Sequence, residues 1–135
     1  MSRFRRASDE RGVAVVEFAL VMPILILLVA GVIQFGIMYS QYQVFQGAAR
    51  EGARCAAVQA TDFANCDVLT EVEDASLGYT LSETPNQSLE CTDETRGSNV
   101  TVSWDQDLDT GVLGSLVPGI PNIITATISG TFRCE

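Results

Sequence analysis

Residues Val13 to Ile33 read VAVVEFALVMPILILLVAGVI, 21 residues with a single charged side chain, Glu17. At about 1.5 Å per helical residue the run is roughly 30 Å long, the thickness of a bilayer's hydrocarbon core. A buried core helix is the competing reading. It fits poorly, because the acidic remainder of the chain is too small to wrap an all-apolar helix of that length. A membrane span is therefore expected here, and the other segments are placed relative to it.

Charge sets the orientation. The chain has 135 residues and a formal charge of −9; its eight cations are all arginine, and histidine is absent. Arg3, Arg5, Arg6 and Arg11 precede the apolar run, against Asp9 and Glu10, so the first twelve residues carry +2 and the remainder −11. Basic flanks stay on the cytoplasmic side. The expected location is the cell membrane, crossed once, with a cytoplasmic N-terminus and an extracytoplasmic body. That acidic body lacks the basic surface needed to bind nucleic acid through its phosphates. A signal peptide would also pair a basic start with an apolar run. This run is longer than a usual signal core, and no A-x-A-like site closely follows Ile33. The next segment, QFGIMYSQYQVFQGAAREGARCAAV, reads as continuing helix.

Two residues inside the run stand out. A carboxylate near mid-bilayer costs a few kcal/mol, so Glu17 is a functional candidate by default. The plain alternative is that it sits near the cytoplasmic surface and reaches out to water. Pro23 removes a backbone hydrogen bond and is expected to kink the helix. Such a break could ease repacking between membrane and filament, or it is a tolerated transmembrane proline. Beyond the run, Val44, Ala48, Gly52 and Ala56 recur every four residues, with Phe45, Ala49 and Ala53 beside them. They share one helix face, whose small residues permit close backbone approach. From Ala53 to Val58 this face is expected to pack under the chain's own body. From Tyr39 to Ala49 it is open whether it meets that body or partner helices. Arg50, Glu51 and Arg54 read as a solvated ion-pair face.

Gly12 directly precedes the apolar run, and Glu17 and Phe18 follow at the fifth and sixth positions after it. The stretch Arg11-Gly12-Val13-Ala14-Val15-Val16-Glu17-Phe18 resembles the processing motif of type IV pilin-like precursors. Together with Ile33-Gln34-Phe35-Gly36 and Gly47-Ala48-Ala49-Arg50-Glu51-Gly52-Ala53-Arg54, it resembles the TadE-like family of the tight-adherence (Tad, or Flp) pilus system. The likeness covers about residues 10–58. It implies cleavage after Gly12 by a membrane-embedded prepilin peptidase, with Val13 as the new N-terminus. It implies that Glu17 pairs with the amino terminus of a neighbouring subunit. It also implies partnership with other pilins or pseudopilins and with the Tad secretion platform. Pairing between chains would offset the cost of both charges in lipid. An intrachain pair stays open, since Val13 lies only about 6 Å from Glu17 along the helix.

The body carries Cys55, Cys66, Cys91 and Cys134, on the side where disulfides are allowed. Four cysteines allow three connectivities. The preferred pairing is Cys55–Cys66, tying the helix end to the next segment, and Cys91–Cys134, locking the C-terminus. Residues 67–77 suit a short amphipathic helix ending at Gly78. Residues 88–92 are expected to form a short strand. Val100, Val102 and Trp104 alternate as a strand does, and so do Ile124, Ala126, Ile128 and Phe132. A three-stranded antiparallel meander would bring Cys91 and Cys134 to one end of the sheet, with the stalk helix covering a face. Gln106 to Pro121 reads as a loop, and its apolar Leu113, Leu116, Val117 and Ile120 point to contact with either a partner or the chain's own core. Asp105, Asp107 and Asp109 before Gly111 match a calcium loop poorly and read as solvated acids. With no histidine and no CxxC pair, neither a metal site nor a His-based triad is expected. No cofactor and no enzymatic activity is expected.

The expected fold is α+β and pilin-like: a long N-terminal transmembrane and stalk helix packed on a small antiparallel sheet. The expected organisation is a cytoplasmic leader over 1–12, the helix over 13–58 and an extracytoplasmic domain over 59–135. The functional expectation is a minor pilin or pseudopilin that helps assemble or anchor a Tad-type pilus. The rival is a permanently anchored extracytoplasmic binding module that is never polymerised.

Overall fold

The structure, a computed structural model, describes residues 6–58 and 66–135. Arg3 and Arg5 of the expected leader lie outside the described residues, as does the 59–65 start of the expected body.

Helix α1, Arg6–Ala57, contains 52 residues, with Pro23 inside it, and is about 78 Å long. Its most apolar stretch is wholly unburied within the chain. That decides against a core helix, because the described part of the body touches this stretch at one side only and leaves it exposed. The helix starts before Gly12 and passes through it without interruption. Only the far end of α1 enters the core, through Phe45, Ala48, Ala49, Ala53, Ala56 and Ala57. The face left open between Tyr39 and Ala49 is thus covered from Phe45 onward by the chain's own body. Arg54 pairs with Glu51 at 3.0 Å on the exposed side.

Helix α2, Val68–Ala75, starts at Asp67, whose carboxylate accepts from the Leu69 N–H at 3.2 Å and from the Thr70 hydroxyl at 2.8 Å. It stops where Leu77 and Gly78 both take positive φ, 55° and 85°. Its one buried residue, Val72, packs on Gly52 of α1, where an added Cβ would collide with the valine methyl. The helix face that reads as a small-residue stripe is therefore a seat for α2.

The sheet is a meander of β1 (Asn86–Gln87), β2 (Asn99–Asp109) and β3 (Ile123–Arg133), in that order and antiparallel throughout. Val100, Val102, Trp104, Leu108 and Ile128 face α1, and Phe45 meets Trp104 edge-on with centroids 6.5 Å apart. Disulfides join Cys55 to Cys66 and Cys91 to Cys134. The Cys134 N–H donates to the Ser98 carbonyl beside the start of β2, so this second bridge closes one end of the sheet.

Three sequence expectations need correction. The first strand is Asn86–Gln87, not 88–92. The Thr101 N–H goes to the Ser88 hydroxyl at 2.9 Å instead of to a backbone carbonyl, and the ladder ends there. Strand β2 runs on to Asp109, so residues 106–109 are not loop. In that extension Gln106 and Leu108 point inward, and the acids point outward. The Thr127 and Thr125 hydroxyls of β3 donate to Asp105 and Asp107 at 2.7 Å each, across register pairs. Finally, the segment after β2 contains a short helix, α3 (Val112–Leu116).

Candidate functional site

The residues singled out for processing and assembly all lie on the free part of α1. Gly12, Val13, Glu17 and Phe18 are exposed, and Gly12, Val13, Val16, Glu17 and Leu20 line one shallow concavity on the helix surface. Helical spacing explains the grouping, since positions 13, 16, 17 and 20 share a face. The concavity is apolar apart from one carboxylate. Among the described residues no basic side chain pairs with Glu17. A Cβ at Gly12 would meet nothing within 4 Å. The fold of this chain thus gives no packing reason for glycine at 12 or for an acid at 17, in contrast to Gly52 and Gly130, where neighbouring atoms exclude a side chain.

The structure keeps the other marked residues apart from this face. The cysteines are at the top of α1 and in the body. Asp105, Asp107 and Asp109 stand on the outer face of the sheet, and no cluster of potential metal ligands occurs among the described residues. The apolar stretch after β2 turns back onto α1. Leu113 lies 3.6 Å from where a Cβ on Gly31 would be. The Gln34 amide donates to the Asp109 carbonyl at 3.5 Å. Sequence reasoning gave Gln34 no role of its own. Its signal was available: a lone amide at the end of an apolar run needs a polar partner or water.

An α+β protein with one bare apolar helix, long enough to cross a membrane and projecting from a small disulfide-linked sheet domain, is the class these features define. Within that class, residues 12–54 match the family model described as TadE-like protein, so the anchor and stalk of this chain are TadE-like. The matched segment begins at Gly12 and ends at Arg54, and takes in Glu17, Pro23 and the AREGAR stretch. The likeness is to a family of the Tad pilus system that is not known for enzymatic activity, and it falls on the helix that is long and apolar enough to cross a membrane once. No curated protein and no solved structure matches the chain.

Proposed function

We propose that the chain is a minor pilin or pseudopilin that takes part in assembling or anchoring a Tad-type pilus. In this reading a prepilin peptidase cuts after Gly12 on the cytoplasmic side, and Val13 becomes the N-terminus. Glu17 then pairs with the amino terminus of an adjacent subunit, which fixes the axial stagger between helices. The observation that carries the reading is the pairing of an unpacked Gly12 with an unpartnered Glu17 on a bare helix face, inside the segment that matches the TadE-like family. A carboxylate that is costly in lipid and has no ion-pair partner among the described residues is accounted for by a partner outside the chain. The sheet domain gives the subunit a body on the far side of the membrane, and the disulfides brace it there.

The test is N-terminal sequencing of the protein from its native membranes, beside a Gly12→Leu variant. The expected native sequence starts at Val13, with the variant uncut. A native chain that keeps its arginine-rich leader overturns processing and favours a permanently anchored binding module. Cleavage beyond residue 33 removes both readings, because the apolar run would then be a signal peptide.

A further inference from the structure

Residues Thr110 to Phe132 form a 23-residue stretch without one charged side chain, in a chain of net charge −9. Its first part, α3 and the turn after it, lies against the membrane-spanning segment of α1. The groove between them is lined by Phe18, Met22, Ile26 and Ala30 on one side and by Val112 and Val117 on the other. Leu113 reaches Gly31, two residues inside the expected end of the span at Ile33, about 3 Å below that boundary. The helix wall of the groove, from Phe18 to Ala30, extends about 18 Å further into the span. Just above the boundary, Phe35 and Tyr39 stack at 6.2 Å, aromatic side chains of the kind found at the membrane–water interface. Val112, Leu113 and Val117 are therefore on the lipid side of the aromatic level.

Several of its polar groups are paired within the loop. The Thr110 N–H donates to the Asn122 carbonyl at 2.9 Å, and the Thr110 hydroxyl to the Pro121 carbonyl at 2.7 Å. The N–H groups of Leu113, Val117 and Ile120 donate within the loop, as does the Ser115 hydroxyl. Pro118 and Pro121 bring no N–H at all. The Gly111 N–H is held by the Asp109 carboxylate at 2.7 Å, at the loop's entrance. Backbone that meets lipid must satisfy its own hydrogen bonds. Val112, Ile120, Ile123 and Ile124 meanwhile present apolar surface outward.

We infer that the 110–121 loop is a second membrane contact, entering from the body's side, with lipid acyl chains filling the groove beside α1. The occupant follows from continuity: one wall of the groove is the spanning helix itself, and nothing charged interrupts the other. This rests on reading 13–33 as the span. The seat would hold the sheet domain at a fixed height and tilt on the membrane before assembly.

The test uses the full chain in vesicles of phosphatidylcholine and phosphatidylglycerol, with and without brominated acyl chains. Val112→Trp and Ile120→Trp are read against the parent, whose buried Trp104 gives a constant background and reports that the body is folded. Leu28→Trp is the reference inside the span, and Ser129→Trp the reference on the outer face of the sheet. The expected result is loss of emission at 112 and 120 in brominated vesicles. Emission that survives brominated lipid and is quenched by aqueous acrylamide, as at Ser129→Trp, overturns the seat while a quenched Leu28→Trp leaves the anchor standing. Shielding from both lipid and acrylamide overturns it in favour of a second copy in the groove. An unquenched Leu28→Trp overturns the anchor and the seat together.

Discussion

Gly130 of β3 lies directly against the Ala49 carbonyl of α1, so close that a methyl group at Gly130 would overlap the Ala49 peptide. Helix and sheet meet here backbone to backbone, which neither side can relieve by changing a rotamer. Gly130→Ala is expected to destabilise the body by about 1–3 kcal/mol, the cost of overpacking a fixed site. Gly47→Ala is the opposite case. Gly47 is exposed within α1 with nothing near its Cβ position, and alanine should stabilise by about 0.5–1 kcal/mol through helix entropy. Urea unfolding of both variants in detergent, followed by Trp104 emission, checks the pair. Equal effects would mean that the close approach is not enforced.

Gln106 is a buried amide with every polar atom engaged. Its oxygen accepts from the Trp104 indole at 3.1 Å and from the Ser82 N–H at 3.2 Å, and its nitrogen donates to the Ser82 hydroxyl at 2.8 Å. It fastens the 79–84 segment to the sheet. Gln106→Leu keeps the volume and strands the indole N–H, which should cost about 1–3 kcal/mol. A red-shifted Trp104 emission in the folded variant would accompany the loss, because the freed indole would admit water. Unfolding free energy unchanged from the parent would refute the role given to the amide.

The two disulfides close loops of different length. Cys55 and Cys66 are 11 apart in sequence, and Cys91 and Cys134 are 43 apart. In the chain-entropy account, replacing the second pair by serine should cost roughly 1 kcal/mol more than replacing the first. Paired double-serine variants, unfolded in the same detergent, measure the difference. Equal losses would place the stabilisation in local packing instead.

Much of this architecture was legible because it rests on period and composition. The apolar run of α1, the alternation of Val100, Val102 and Trp104, and the stop of the 67–77 helix at Gly78 are local signals. What was hidden depends on contacts between distant residues. Asp105, Asp107 and Asp109 are poor strand formers and read as loop. In the strand Thr127 and Thr125 supply hydroxyls to Asp105 and Asp107 across the register, and Asp109 at its end accepts from the Gly111 N–H. The end of β1 depends on one side chain, Ser88, taking a ladder hydrogen bond. The return of α3 to Gly31 could not be read locally, although the apolar residues of that loop signalled some contact. At the candidate site the asymmetry is reversed. Gly12 and Glu17 stood out in the sequence, and the fold adds only that no contact among the described residues requires them.

That last point makes Glu17 separable from stability. Its carboxylate is exposed on the free part of α1, well below the first core residue, Phe45, and about 42 Å from it along the helix. Glu17→Ala should leave unfolding of the body within about 0.5 kcal/mol of the parent, as for a surface change away from any packed feature. Membrane insertion should be retained, since the span only becomes more apolar. Assembly should fail, because the new ammonium at Val13 would have no carboxylate to meet in a neighbouring chain. Glu17→Asp keeps the charge on a shorter stem and should restore part of the assembly that alanine removes. Crosslinking of processed subunits in native membranes, scored beside pilus counts, gives the readout. Normal assembly with alanine at 17 would show that the carboxylate merely reaches water, and the stagger between subunits would then have to come from the stalk.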